Sequence, residues 1–289
     1  MIKRFHIGLG ILAAVILLGI IAVGISVLVC YYCLAVHEYD VHIDGIEHPF
    51  TAVVLTDLHS REFGEDNETL LAKIREQQPD VIFSIGDMIN GTADETEAAQ
   101  FISLLGRLRE IAPVYVSYGN HEQQYLQKGG ADLAPGIESS GAVLLDESCL
   151  TVVIAENPVC LGGTLGHLFP FGRSLDRYRS SPEYRMAKQM IATGLPTIIL
   201  AHLPDTIAFE YAYRDWDIDL FLSGHTHGGV IRIPGFGGVY APMQDWFPKY
   251  DMGVFDFGRT KLLISSGFAG HGTIPRIFNR PEICVVHIS

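Results

Sequence analysis

Five short apolar runs in this chain each stop at a residue whose side chain offers an oxygen or a nitrogen. That repetition narrows the fold more than any single motif. Residues 50–56 lead into Asp57-Leu58-His59, residues 81–85 into Gly86-Asp87, and residues 113–118 into Gly119-Asn120-His121-Glu122. Residues 197–201 are followed by His202, and residues 220–223 by Gly224-His225-Thr226-His227-Gly228-Gly229. Runs this apolar suit strands covered on both faces, and the stretches between them carry helical signals. Asp66 or Asn67 can cap a helix with the stripe Leu70, Leu71, Ile74, which Pro79 stops. Asp94 and Glu97 resemble a capping box before Phe101, Leu104, Leu105 and Leu108, and Ser181-Pro182 opens another helix. The fold class is therefore α/β. In open α/β sheets ligands bind beyond the carboxyl ends of the strands. Asp57, His59, Asp87, Asn120, His202, His225 and His227 are accordingly expected to converge on one crevice.

Taken singly these residues have ordinary explanations. Asp87 and Asn120 are good turn residues after a strand, and a lone His202 is more often packed than ligating. The pairs are more telling, because residues at i and i+2 on an extended chain share a direction. Asp57 with His59, and His225 with His227, can thus aim into one space, and the glycines around the second pair let a ligand approach closely. Residues 230–258 are rich in Gly, Pro and aromatics and read as long ordered loops. Short strands are expected within 142–163, and two last strands at 261–265 and 282–288.

The N-terminus carries a different signal. Residues 5–36 contain no acid, Lys or Arg, and about 20 apolar residues suffice to cross a bilayer. The stretch exceeds the ~7–15 residues of a secretory signal core, which favours a retained signal-anchor. Lys3 and Arg4 are the only charges before Glu38, so the positive-inside rule puts the rest of the chain outside the cytoplasm. The expected organisation is an anchor over 1–37, a polar connector over 38–49 and one domain over 50–289. All 33 acidic residues and 18 of the 20 basic ones come after the anchor, a net charge of −15. That balance argues against nonspecific nucleic-acid binding, which needs a basic footprint. An acidic domain that handles phosphate would carry its positive charge as metal. Cys149, Cys160 and Cys284 show no framework spacing; a Cys149–Cys160 bridge is allowed but not required.

Asp57-x-His59, Gly86-Asp87, Gly119-Asn120-His121-Glu122, His202 and Gly224-His225-Thr226-His227 together resemble the calcineurin-like metallophosphoesterases in order, spacing and strand context. The resemblance runs from about residue 50 to the C-terminus and looks nearest to the membrane-anchored or exported bacterial branch, whose tail reads like residues 272–281. It implies an α/β sandwich of two β-sheets flanked by helices, here behind an N-terminal transmembrane helix. It further implies two divalent metal ions: Asp57, His59 and His227 on one, Asn120, His202 and His225 on the other, and Asp87 bridging. An N/O ligand set suits Mn, Fe, Zn or Co. A metal-bridging hydroxide would attack phosphorus, and His121 would be the catalytic general acid. The implied function is phosphoester hydrolysis, with phosphodiesters preferred. The alternatives are a phospholipid or nucleotide-diphosphate-lipid hydrolase acting next to the membrane, and a non-catalytic binding protein on the same fold. Two positions depart from the family pattern: Asn90, where many members carry a second acid, and Val230, where a Gln often stands. His271, in a Gly-rich loop near the tail, is the one further histidine close to these motifs. Phe236, Trp246, Phe247 and Phe268 are read as packing rather than as a lipid-contacting rim.

Overall fold

The strands that the apolar runs foretold are present, and they divide between two sheets that face each other. The structure is a computed structural model that describes residues 2–164, 181–204, 217–242 and 244–289. In the first sheet, β1 (Ala35–Val41), β2 (Phe50–Leu55), β3 (Val81–Ile85), β4 (Val114–Ser117), β5 (Val143–Leu144) and the C-terminal β16 (Glu282–Ile288) lie in the order β1-β16-β2-β3-β4-β5. All its pairings are parallel except β16 with β2. The second sheet contains β6 (Ser148–Ile154), β7 (Asn157–Gly163), β8 (Thr197–Leu200), β9 (Leu220–Ser223), β14 (Gly253–Phe257) and β15 (Thr260–Ile264), in the order β14-β15-β9-β8-β7-β6.

The facing sheets bury one core between them. Val54, Phe83 and Ile85 of the first sheet pack with Leu161, Ile198, Leu200 and Leu222 of the second, all inaccessible to water. Each such side chain stabilises the fold by about 1.5–3 kcal/mol through removal of apolar surface from water. The outer face of the first sheet is covered by α2 (Glu68–Glu76) and α3 (Glu95–Arg109), whose stripes Leu70, Leu71, Ile74 and Phe101, Leu104, Leu105, Leu108 join Val53 and Ile82. The second sheet is covered by α6 (Pro182–Ala192) through Met186, Ala187 and Met190. Two short helices, α4 (Asn120–Gln127) and α5 (Ala134–Ser139), come after β4.

Local signals account for most element ends. Asp94 accepts hydrogen bonds from the Thr96 and Glu97 backbones, and Glu97 reaches back to Asp94 N–H. Ser181 caps α6 by accepting from Tyr184 N–H. Asn67 precedes α2 but does not cap it; its Oδ1 turns back to accept from Phe63 N–H at 3.0 Å.

At the N-terminus, α1 (Ile2–Tyr32) is long and apolar enough to cross a membrane, and its residues 6–25 are exposed. The segment after it differs from the expected connector. Residues 38–41 belong with 35–37 to β1, an edge strand running parallel to β16 from Ala35↔Glu282 to Val41↔Ile288. Its polar side chains disguised it, as is usual at sheet edges. They are used: His37 Nδ1 and the Tyr39 hydroxyl both lie on the fully buried Glu282 carboxylate, at 3.2 and 2.8 Å. The segment read as loop over 230–258 likewise holds four two-residue strands: β10 (Arg232–Ile233), β11 (Gly237–Gly238), β12 (Tyr240–Ala241) and β13 (Asp245–Trp246). The cysteines, including Cys149 and Cys160, are free thiols.

Candidate metal centre

Six of the seven expected donors, Asp57, His59, Asp87, His202, His225 and His227, meet where the C-terminal ends of β2 and β3 approach those of β8 and β9, and Asn120 stands beside His121, whose backbone N–H donates to Asp87. Asp57 and His59 come after β2, Asp87 after β3, His202 after β8, and His225 and His227 after β9. Asn120 is the first residue of α4 rather than a strand end. Strand ends can come this close because glycine stands at the contact. Gly86 has φ +87°, and a Cβ there would lie 2.4 Å from Gly119 N.

Five of the seven donors sit in the left-handed region: Asp57 (φ 54°), His59 (51°), Asp87 (53°), His225 (69°) and His227 (49°). For residues other than glycine this conformation is disfavoured by roughly 1–3 kcal/mol each, and such outliers gather at functional sites. Backbone hydrogen bonds hold them there. Asp57 Oδ2 accepts from His225 N–H at 3.0 Å and Asp87 Oδ1 from His121 N–H at 2.8 Å. Asp57 N–H and His59 N–H donate to Gly86 O and Asp87 O.

The imidazoles divide by tautomer, and the division is chemical. His59 Nδ1 faces Asn90 Oδ1 (3.2 Å), His202 Nδ1 faces Ile85 O (2.8 Å) and His227 Nδ1 faces Ala269 O (3.2 Å). An oxygen acceptor at Nδ1 fixes the proton there and leaves Nε2 as the free donor atom. Those three Nε2 atoms converge on Asp57 Oδ1, at 3.9 Å (His59), 3.9 Å (His202) and 3.7 Å (His227). His121 is the reverse case. Its Nδ1 accepts from Gly91 N–H at 3.0 Å, so the proton lies on Nε2, which is 3.9 Å from Asp87 Oδ2. His225 has neither ring nitrogen bonded and packs edge-on to His202 at 5.3 Å between centroids.

Ligand-capable atoms within 4.8 Å of one another form three overlapping groups: Asp57, His59 and His227; His59, Asp87 and His121; and Asp87, His202 and His225. Six buried atoms of five of the expected donors have no hydrogen-bond partner: Asp57 Oδ1, His59 Nε2, Asn120 Oδ1, His202 Nε2, and both ring nitrogens of His225. His202 Nε2 comes within 3.0 Å of Asp87 Oδ2 without the alignment of a hydrogen bond. Buried polar atoms are ordinarily satisfied, so this concentration marks a place built for cations. The all-N/O donor set fits divalent transition metals.

Charge points the same way. Burial lifts the Asp57 carboxyl to about 6, against the pull of His202. Burial would also lift Asp87, but the facing histidines, His202 foremost, hold it below the usual carboxylate range. Desolvation lowers His59 to about 4, His225 to about 3 and His227 well below its ordinary value, so these three are neutral and ready to ligate. His202 overcomes its own burial penalty through Asp87 and Asp57 and rises to about 10. Two buried carboxylates therefore face one charged imidazole.

The sequence reading assigned no role to three residues that support the site. Glu122, fully buried, accepts from the backbone N–H groups of Gly119 (2.7 Å), Asp87 (2.8 Å), Met88 (2.7 Å) and Ile89 (3.2 Å). One carboxylate thus binds the Asp87 turn to the Asn120 turn. In the tail, Asn279 Nδ2 donates to His227 O (2.8 Å) and Val230 O (3.1 Å), and Arg276 Nε donates to Ala269 O (2.7 Å), the same carbonyl that His227 Nδ1 faces. The only signal for these was their place inside the quoted motifs. His271 lies beside His227, with ring centroids 5.6 Å apart, outside the three groups.

Comparison with known proteins agrees. The family model for calcineurin-like phosphoesterases matches residues 50–229. The uncharacterised metallophosphoesterase Cj0846 of Campylobacter jejuni is 29% identical over 260 residues, 88% of this chain and 63% of that protein. The chain thus spans less than two thirds of that relative's length. The phosphodiesterase YaeI of Escherichia coli K12 is 28% identical over 242 residues, 83% of this chain and 82% of the relative. Among solved structures, TT1561 of Thermus thermophilus superposes with a TM-score of 0.50 at 14% identity, over 76% of this chain and 90% of that one, a likeness of fold.

Proposed function

The chain belongs to the calcineurin-like phosphoesterase family, and from that premise we propose that it hydrolyses phosphodiesters with two divalent metal ions held between its sheets. The observation that carries this reading is the set of six unpartnered buried donor atoms at the meeting of the strand ends. On this reading Asp57, His59 and His227 hold one ion, Asn120, His202 and His225 hold the other, and Asp87 serves both. Asp87 is grouped with His59, a donor of the first ion, and with His202 and His225, donors of the second, which supports its shared role. When bound, such a pair clamps the phosphoryl oxygens and lowers the pKa of water.

The chain's own residues supply the rest. Asn90, Ile85 and Ala269 orient three rings so that each turns its Nε2 to the centre, bare in His59 and His227 and freed in His202 once its proton leaves. His121, whose Nδ1 is taken by Gly91 N–H, presents an N–H instead, which suits donation to the departing oxygen as negative charge builds there. A second reading, hydrolysis of a lipid-linked phosphate ester, is favoured by the contact of the tail with α1, where Phe278 N–H donates to Ser26 Oγ.

The test uses the full chain, because β1 begins directly after α1. After chelation, the protein is assayed on bis-nitrophenyl phosphate and nitrophenyl phosphate with Mn, Fe, Zn or Co restored. Hydrolysis of the diester that chelation abolishes and one of these metals restores is the expected result. Activity that survives complete removal of metal, or a clear preference for the monoester, would sink the proposal.

A further inference from the structure

Phe268 packs as expected, but Phe236, Trp246 and Phe247, also read as packing, point outward instead. Phe236 (86% exposed), Trp246 (70%), Phe247 (66%) and Phe278 (46%) are all the exposed Phe and Trp residues among the described residues. Apolar patches of this kind mark interaction surfaces. Two of them, Phe247 (φ 55°) and Phe278 (φ 53°), adopt left-handed backbone, a costly conformation for a bulky residue. Their outward aim is therefore held in place by the surrounding structure.

These residues lie on one hydrogen-bonded ribbon that starts at α1. Phe278 N–H donates to Ser26 Oγ and Asn279 N–H to Cys30 Sγ, and Phe278 lines an apolar trough with Ala22, Ile25 and Val29. Ile277 pairs with Ile231, and its carbonyl accepts from Arg232 N–H at 2.9 Å. β10 pairs with β11, with Phe236 at the turn between them. Val239 N–H then donates to Ile231 O, and Phe247 N–H to Val239 O, both at 2.8 Å. Trp246 closes the ribbon opposite Tyr240 in the β12–β13 pair. The ribbon that carries these side chains is thus continuous with α1.

The level at which α1 meets the domain says what covers that surface. The apolar span His6–Tyr32 has 27 residues, or about 40 Å of helix, against a hydrocarbon core of about 30 Å. The surplus is roughly seven residues, and the domain's hydrogen bonds to the helix, from Ser26 to Tyr31, fall within the last seven of the span. A domain docked there rests at the headgroup boundary, where Trp and Phe side chains are well accommodated.

We propose that Phe236, Trp246, Phe247 and Phe278 form an apolar rim that inserts into the headgroup–acyl boundary of the bilayer that α1 crosses. The proposal rests on α1 being a retained span. The bilayer is its occupant because the ribbon leaves α1 at bilayer level. The rim also adjoins the metal centre, since rings link Trp246 to Tyr240, Tyr240 to His271 and His271 to His227 with centroids 5.8, 6.0 and 5.6 Å apart. The mouth of the site is thereby held against the membrane surface. Because the domain is strongly acidic, apolar insertion rather than attraction to anionic lipid drives the contact.

The chain has two tryptophans, so a Trp216→Phe variant isolates Trp246. The full-length variant is reconstituted into neutral phosphatidylcholine vesicles and floated on a density gradient. Emission of Trp246 is then compared in ordinary lipid and in lipid brominated near the headgroup end of its chains. Insertion to the depth of an interfacial residue predicts quenching by about twofold and protection from aqueous iodide. Adding Phe236→Ser and Phe247→Ser should reduce the quenching while leaving flotation and hydrolysis of the soluble diester intact. A chain that floats but whose Trp246 ignores the brominated lipid and is quenched by iodide overturns the rim alone. A chain that does not float overturns the retained span, and the rim with it.

Discussion

The two sheets contribute unlike halves to the metal centre. The first supplies both carboxylates and the amide, Asp57, Asp87 and Asn120, together with His59; the second supplies imidazoles alone, His202, His225 and His227. In the first half each carboxylate already spends one oxygen on a backbone N–H and keeps the other turned to the centre. In the second half burial keeps His225 and His227 uncharged, and only His202 carries a proton against the carboxylates. The halves are also stitched across the gap, because His225 N–H donates to Asp57 and His202 Nδ1 lies on Ile85 O. The negative half needs a cation; in the other half His225 and His227 can ligate one as they stand, and His202 can do so on releasing its proton. Neither is complete without the other.

The sharpest way to break this comparison is to remove Asp87, which is grouped with His59 on one side and with His202 and His225 on the other. We predict that Asp87→Ala loses about two equivalents of metal where His59→Ala loses about one, as expected of a shared ligand in a two-metal site. Hydrolysis in Asp87→Ala should fall to background. Metal analysis of the two purified variants decides it, and equal loss from both would mean that Asp87 serves a single ion.

A smaller effect is expected at His121, which lies against the charged half without belonging to it. The geometry offers two roles, since His121 falls within one ligand group but presents an N–H there. A proton donor matters where the leaving oxygen is strongly basic, as in an alkyl ester, and little where it is a nitrophenolate. His121→Ala should therefore slow an alkyl ester by ~10²–10⁴-fold and a nitrophenyl ester far less, with bound metal unchanged. If the variant loses metal, or slows both esters alike, His121 is a ligand instead.

How much of this could be read from the chain alone depends on which half is considered. Apolar runs ending in Asp57, Asp87, His202 and His225 exposed the strand ends, because a fully buried strand must be apolar and its end need not be. Asn120, expected at a strand end, opens α4 instead, since a helix starting directly after Gly119 carries no apolar stripe of its own. The division into two sheets came only through family resemblance; runs that join one sheet or two look alike. β1 escaped because its His37, Glu38 and Asp40 look like linker, yet edge strands carry just such residues. The left-handed backbone at Asp57, His59, Asp87, His225 and His227 had no sequence signal beyond neighbouring glycines, because surrounding contacts impose it. For the same reason Glu122, Arg276 and Asn279 stood inside recognisable motifs without a visible task.

The smallest predicted effect separates an oriented imidazole from a free one. Asn90 holds His59 at both ends: its Oδ1 takes the ring Nδ1 at 3.2 Å and its Nδ2 donates to the His59 carbonyl at 3.0 Å. Asn90→Ala removes both bonds without touching any donor atom of the centre. Partners of this kind typically contribute about 10–100-fold in metal affinity by fixing the tautomer and aim of a ligand. His225 has no such partner on either ring nitrogen, so its aim depends on the metal and on packing against His202. Competitive titration against a chelator should show Asn90→Ala weakening one of two metal-binding events by about that factor. The other event, on the His202 and His225 side, should stay within about twofold of its original affinity, since Asn90 contacts neither ring. A variant that weakens both events equally would show that the two halves do not bind their ions independently, and the contrast drawn between them would fail.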